Sequence, residues 1–402
     1  MDKIILHCDL NNFFASVECR KHPELANSPV AVCGNVKERH GIILAKNEAA
    51  KKYGVKTAET IWQAKLKCPD LLLFPPHMEE YVSWSQKVKS IYSQYTDLIE
   101  PFGIDECWLD VTGSRLLFGN GEEIANKIRK HIKTELKLTI SVGVSFNKVF
   151  AKLGSDIKKP DAVTCITRDN FKKIVWELPS CDLLGVGKAT CNQLKKYGIH
   201  TIGDVANTEK EFIIKILGKN GEQLWHSANG DGDTCVAHQN EFEAIKSIGN
   251  FTTCPKDLIN EDDVWKVIYR LSETVAARLR KHELLANGIQ ISVKDNNLLT
   301  REFQTSLPVS TRHPKELANV GITLFKKHYH WENHVRALGI KAIYLTDENQ
   351  SVQCSMFMNQ QKINEQEQLE DKVCILRERY GQQSLLRASL MTKSTTTDEK
   401  HK

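Results

Sequence analysis

A chain of 402 residues is too long for one compact core and is expected to form about two to four domains. At 41% hydrophobic and 26% charged, its composition fits an ordinary globular protein. A net charge of +5 permits a nucleic-acid partner without demanding one, because an anion-binding face needs clustered charge rather than a total.

No apolar run reaches the length of about 18 residues that a membrane helix needs, and no secretory leader is expected before the first short apolar stretch. The twelve cysteines are scattered and include no C-x-x-C pair. They read as reduced, mostly buried thiols of a cytoplasmic protein, with Cys8 and Cys107 as packing residues.

Residues 3 to 9 form an expected buried strand ending at Asp9, and Asn11 or Asn12 can cap a helix through FASVECRK. A polar, helix-rich segment follows to about residue 78, where Pro75 and Pro76 punctuate it. A helical run, EEYVSWSQKVKSIYSQY, leads into LIEPFGIDECWLDVTG, which reads as two strands folded back around Ile104-Asp105-Glu106. In the helix 122–136, Ile124, Ile128 and Ile132 make one apolar stripe. Leu138, Ile140, Val142 and Val144 then alternate with Lys137, Thr139, Ser141 and Gly143, the period of a strand. Asn147 starts the next helix and Pro160 ends it near Lys158, with Val149, Leu153 and Ile157 as its stripe. Lys148 and Lys152 lie off that stripe, facing solvent or an anion. With the strand AVTCI this order matches a ferredoxin-like α+β sheet carrying helices on one face. Short helices fill 167–236, strands and helices alternate over 240–346, and a Gln-, Glu- and Lys-rich tail carries one helix at 364–380.

Three groups of residues could carry chemistry. Asp9 ends one strand and Asp105-Glu106 sit at the turn between two others, edges that a ferredoxin-like sheet can make neighbours. Three unpaired acids repel one another unless cations occupy the site. Their hard oxygen ligands suit Mg²⁺, and a pair of ions would serve an in-line phosphoryl displacement. The plainer reading is a solvated Asp-Glu hairpin tip. LLGVGKAT places Gly185 and Gly187 between short helices, where backbone N–H groups can approach a phosphate beside Lys188. A helix-hairpin-helix of this kind grips DNA backbone without reading sequence; its plainer reading is a helix–helix turn. Lys148, Lys152, Lys158 and Lys159 form a basic cluster that is either a solvated face or a counter-charge for a triphosphate. In HYHWENH, His328, His330 and His334 have a spacing that can bind zinc, but they straddle an expected helix end with no other ligand nearby.

Together these pieces resemble the Y-family DNA polymerases, in particular the bacterial DNA polymerase IV branch. The matching stretches are DLNNFFASVE, GIDECWLDVTG, SVGVSFNKVFAKLGSDIKKPD, LLGVGKATCNQLKKYGIHTIGDV, KSIG and VRALGIK, in the family's order. The resemblance implies a right-hand polymerase. Its ferredoxin-like palm would be 1–10 and 79–166, small fingers 11–78, helix-hairpin-helix thumb 167–236 and α/β little finger 240–346. A mobile tail would occupy 347–402. Asp9, Asp105 and Glu106 would be catalytic and hold two Mg²⁺ ions with the carbonyl of Leu10. Phe14 would be the steric gate against a ribose 2′-OH, with Phe13, Lys51 and Lys159 around the triphosphate. Gly185, Gly187, Lys188, Lys246, Arg301 and Arg336 would contact DNA backbone.

Several residues depart from the family pattern. Asn11 stands where a second acid is common, and Gly103 where many members have Ser. Ala45, Glu48 and Lys51 replace the usual Thr…Tyr…Arg contacts to the triphosphate, and ILAKNEAAKKYGVK looks more like the polymerase V type. Lys51 supplies charge without a bidentate fork, and Lys46 is a second source of it. In the tail, Gln353, Met356 and Phe357 of QCSMF resemble a sliding-clamp peptide. The implied activity is translesion DNA synthesis without a proofreading exonuclease, by a monomer in the bacterial cytoplasm acting on primer-template DNA and deoxynucleoside triphosphates. The rivals are a catalytically weakened DNA-binding scaffold of the same family and a nucleotide cyclase on a similar palm.

Overall fold

A computed structural model describes residues 2–25, 27–36, 41–238, 244–348, 360–381 and 384–390. The chain divides into two compact units, Met1–Phe242 and Glu243–Lys402. Strands of the first unit are β1 (Ile5–Leu10), β2 (Val30–Cys33), β3 (Ile43–Lys46), β4 (Leu72–Phe74), β5 (Ile99–Pro101), β6 (Glu106–Asp110), β7 (Ile140–Ser145) and β8 (Val163–Cys165). They make a five-stranded sheet in the order β5-β6-β1-β7-β8 and a three-stranded sheet in the order β3-β2-β4.

β1 is central, antiparallel to both β6 and β7, and buried along its whole length. Alternate residues therefore face two different cores. Leu6, Cys8 and Leu10 pack with Ile124, Ile128 and Ile132 of the Gly121–Leu136 helix and Tyr81 of the Met78–Tyr92 helix. Ile5 packs on the other face with Trp108 and with Ala151 of the Lys148–Ile157 helix. Helices thus cover both faces, not the expected one. The cause is legible in β7: a Cβ on Gly143 would overlap the carbonyl of Ala151, so the small residue admits a helix where a larger one would hold it off.

Segment 11–78 carries the three-stranded sheet as well as helices, around Ala31, Cys33, Ile43, Ala50, Val55, Ala64 and Leu71. The Phe13–Lys21 helix lacks the expected side-chain cap: Asn12 sits at its N-terminus with φ 51° and donates instead to Glu48 Oε1 at 2.9 Å. The Asn11 side chain is also engaged, donating to Ser141 Oγ at 2.9 Å and accepting from the Asp161 amide at 2.9 Å.

Short helices from Phe171 to Ala228 surround Leu183, Leu194, Ile199, Ile202 and Val205. Here one expectation fails: Cys181 and Cys191 form a disulfide, with Cα atoms 5.0 Å apart. The turn between them folds them together, which their ten-residue separation does not signal. Cys8 and Cys107, which are register partners on β1 and β6, are buried free thiols as expected. Burial pushes Cys107 up to about 12, so it stays a protonated packing residue.

The second unit is a four-stranded sheet, β9 (Ser247–Leu258), β10 (Leu284–Asp295), β11 (Thr300–Thr311) and β12 (Val335–Asp347), in the order β11-β10-β12-β9. The Glu261–Lys281 and Pro314–His328 helices bury Ile268, Val275, Leu279 and Phe325 against Ile291 and Ile340. The Gln360–Tyr380 helix is docked rather than part of a mobile tail. Arg280 reaches Glu367 at 2.8 Å and Asp371 at 3.0 Å, while Arg377 reaches Glu273 at 3.0 Å. Gln353, Met356 and Phe357 lie outside the described residues. Among the described residues no helix is long and apolar enough to cross a membrane.

Candidate active site

Register partners on antiparallel strands project to the same face, and Asp9 on β1 is paired with Glu106 on β6. Asp105 immediately precedes β6, and its carbonyl accepts from the Leu10 amide at 3.0 Å. The three acids therefore meet at one end of the five-stranded sheet. They line a cleft of about 300 Å³ with Leu10, Asn12, Phe13, Phe14, Leu44, Ala45, Lys46, Thr57 and Lys159.

Each side of the cleft has its own charge balance. Lys159 Nζ lies 2.6 Å from Asp9 Oδ2 and 2.8 Å from Asp156 Oδ1. Lys152 Nζ lies 2.6 Å from Glu106 Oε2, and His7 Nε2 approaches the same oxygen at 3.3 Å. Burial raises Asp9, and the pairing with Lys159 offsets this only in part. Burial also raises Asp105, helped by the charges of Asp9 and Glu106. For Glu106 burial acts in the same direction, but His7 and Lys152 outweigh it and bring the group down to about 2. Burial lowers His7, which favours a neutral imidazole.

These carboxylates fit a hard divalent cation. All three donors are carboxylates, two of them already attract a lysine ammonium group to 2.6 Å, and two resist ionisation without more positive charge. In this arrangement Asp9 and Glu106 turn toward their lysines, and among the described residues no three His, Cys, Asp or Glu side chains converge as a closed metal cage. The histidines at 328, 330 and 334 are no exception; the His328 ring stacks on Phe303 at 5.0 Å.

The aromatic wall is braced from behind. Phe13 is buried, and half-buried Phe14 stacks on Tyr81 with centroids 4.3 Å apart and planes 12° apart. Tyr81 donates to buried Glu18 at 2.6 Å, which also meets His77 at 2.8 Å. This chain fixes the ring of Phe14 at the cleft's edge.

Two of the expected phosphate-facing lysines are spent elsewhere. Lys148 is buried between Glu100 at 2.6 Å and Asp233 at 2.9 Å, and Lys152 is held by Glu106. Lys51 is exposed, sits 3.7 Å from Glu48 and does not line the cleft. Lys46 does line it, with Nζ 3.0 Å from Thr57 Oγ1. Burial and the nearby charge of Lys51 lower Lys46, with Glu48 and Glu59 opposing them. His7 and Thr57 are not singled out from the sequence, and the pairing of Lys152 with Glu106 is not signalled by it either. For His7 a signal existed: it stands two residues before Asp9 and so shares its strand face.

Away from the cleft, Gly185 has φ +92°, a conformation that glycine adopts without strain, and Gly187 caps the Lys188–Lys196 helix. Lys188 is exposed beside them. In the second unit Lys246 and Arg301 are exposed and Arg336 is half-buried.

Two family models match the chain: the impB/mucB/samB family over residues 8–156, and its C-terminal domain over residues 245–356. A protein of Acetivibrio thermocellus named DNA polymerase IV is 51% identical over 97% of this chain and 98% of its own length. The chain belongs to the impB/mucB/samB family of Y-family DNA polymerases. Bacillus subtilis has a family member, DNA polymerase IV 1, that is 34% identical over 97% of this chain and 94% of its own. A solved Y-family DNA polymerase chimera shares the fold at a TM-score of 0.77 and 24% identity, covering 86% of this chain and 99% of its own.

Proposed function

We infer that the carboxylate cleft is the nucleotidyl-transfer site of a translesion-type DNA-directed DNA polymerase. The enzyme extends a primer on template DNA with deoxynucleoside triphosphates. The observation that carries the assignment is that Asp9, Asp105 and Glu106, brought to one sheet end, line the same cleft as Lys46 and Lys159, with Lys159 paired to Asp9 at 2.6 Å. Carboxylates interleaved with ammonium groups in one cleft suit a metal-bound triphosphate. Residues 1–10 and 79–166 act as palm, 11–78 as fingers, 167–236 as thumb and 240–346 as little finger.

Family members of this kind are metal-dependent, and here Asp9, Asp105, Glu106 and the Leu10 carbonyl would hold two Mg²⁺ ions. Such ions would supply acidification of the primer 3′-OH and charge neutralisation on the departing pyrophosphate. Lys159 leaves Asp9 as that carboxylate is taken up and turns its ammonium to the phosphates. Lys46 grips the triphosphate from the fingers side, and Lys51, tied to Glu48, contributes little. Phe13 and Phe14 close the sugar end, where a fixed ring leaves room for a 2′ hydrogen but not a hydroxyl. Gly185, Gly187 and Lys188 hold primer phosphates, and Lys246, Arg301 and Arg336 hold the duplex backbone, so binding is sequence-independent and weakens with salt. Segment Gln353–Phe357 tethers the enzyme to a sliding clamp and raises its effective concentration at the primer end. The polymerase works as a monomer.

The test is primer extension by the purified chain with Mg²⁺ and four deoxynucleotides, on an undamaged template and on one with a defined lesion. Extension on both, without 3′→5′ degradation of the primer, is expected. DNA binding without extension would favour the scaffold reading.

A further inference from the structure

Glu106 is approached by two donors of opposite character. Lys152 is an ammonium on a four-carbon stem, 2.6 Å from Glu106 Oε2, with the ring of Phe102 5.4 Å away. His7 is fully buried beneath the carboxylate and cannot withdraw. Its ring stands edge-on to Trp108 at 5.4 Å, and its Nδ1 lies 2.9 Å from Ser155 Oγ, itself fully buried. His7 Nε2 points at Glu106 Oε2 from 3.3 Å and has no formed hydrogen bond, one of few such buried atoms among the described residues. The charged groups around this pair are Glu106, Lys152 and Asp9.

We propose that His7, seated by Ser155, is the positioning residue that holds Glu106 in its cation-binding orientation once Lys152 has been displaced; the proposal rests on the polymerase reading above. In this structure the Ser155 hydroxyl donates to the Lys152 carbonyl, so a donor on His7 Nε2 requires that hydroxyl to turn to Nδ1. A neutral imidazole has one N–H, and the Ser155 hydroxyl has one hydrogen with two acceptors in reach, His7 Nδ1 and the Lys152 carbonyl at 2.7 Å. If Ser155 donates to the carbonyl, Nδ1 carries the ring proton and Nε2 turns a lone pair toward a carboxylate, which repels it. If Ser155 donates to Nδ1, the proton sits on Nε2 and is aimed at Glu106. A small turn of the carboxylate then closes the hydrogen bond, leaving the other oxygen for the cation. Groups that orient a metal-binding carboxylate in this way typically change metal affinity or activity by about 10- to 100-fold when removed.

The experiment is calorimetric titration of Mn²⁺ into the enzyme–primer-template complex without nucleotide, for the parent, His7→Phe and His7→Gln. His7→Phe keeps an aromatic ring against Trp108 but has no donor, and should weaken Mn²⁺ binding by about 10- to 100-fold. Its DNA affinity and its nucleotide KM at saturating metal should not change. His7→Gln can place an amide N–H near the position of Nε2 and should recover most of the affinity. Unchanged Mn²⁺ binding by a folded His7→Phe, or equal losses in the two variants, overturns the proposal. If circular dichroism shows that His7→Phe does not fold, Ser155→Ala decides: weaker Mn²⁺ binding supports the proposal and parental binding overturns it. A parent that binds Mn²⁺ normally yet fails to extend primers counts against the polymerase reading, separately from His7.

Discussion

Replacing Lys46 by Ala tests how this chain compensates for the family contacts it lacks. Lys46 is partly buried at the cleft wall, and its ammonium meets Thr57 Oγ1 at 3.0 Å, a neutral partner that a phosphate oxygen can outbid. A hydrogen bond between charged groups is worth about 1.5–3 kcal/mol. At about 1.4 kcal/mol per factor of ten, its loss should raise the nucleotide KM by about 10- to 150-fold. Lys51 is half-exposed and already shares its charge with Glu48 at 3.7 Å. An exposed pair of this kind is worth about 0.2–1 kcal/mol, so Lys51→Ala should change the KM by no more than about fivefold. Single-nucleotide insertion kinetics on a fixed primer-template measure both. The effect should fall mainly on KM, because both the bound substrate and the transition state feel the lost contact. A larger loss in Lys51→Ala than in Lys46→Ala would refute the assignment.

Other outcomes follow from the same geometry. Phe14→Ala should admit ribonucleotides with little loss of deoxynucleotide insertion, read as the ratio of kcat/KM for the two sugars; an unchanged ratio removes Phe14 from the gate. Met356→Ala with Phe357→Ala should abolish binding to a sliding clamp in a pull-down while distributive extension persists; surviving clamp affinity would place the contact elsewhere. Metal loading should fail on acidification while the fold persists. The raised Asp9 and Asp105 take up protons above the ordinary carboxylate value of 3.8. Glu106 acts in the opposite sense: its stabilising contribution is complete above 4.5 and fades only as the pH falls toward about 2. A pH titration of Mn²⁺ affinity checks this, and a loss confined to pH below 3.8 would contradict it.

What could be read in the sequence depended on how local the cause was. Asp9, Asp105 and Glu106 were legible because each ends or precedes a strand, and strand pairing does the rest. The stripe of Ile124, Ile128 and Ile132 was legible for the same reason, a short period against one core. The alternation through β7 marks a strand but not the second helical layer, which the lack of a side chain at Gly143 admits. Lys148 reads as surface charge until Glu100 and Asp233, both distant in sequence, are folded against it. Likewise Asn11, a plausible helix cap, proves to tie β1 to Ser141 and to the Asp161 amide. Lys51 and Lys46 differ by five positions, and only the placement of Glu48 and Thr57 shows which of them faces the cleft.

The most direct test of the account is single-turnover primer extension by the parent beside Asp105→Ala and Glu106→Ala, with DNA affinity measured on the same preparations. The account predicts rapid incorporation by the parent and none above background by either variant, at undiminished DNA affinity. Extension by the variants at the parent's rate would contradict it, because the chemistry would then lie outside the cleft that Asp9, Asp105 and Glu106 define.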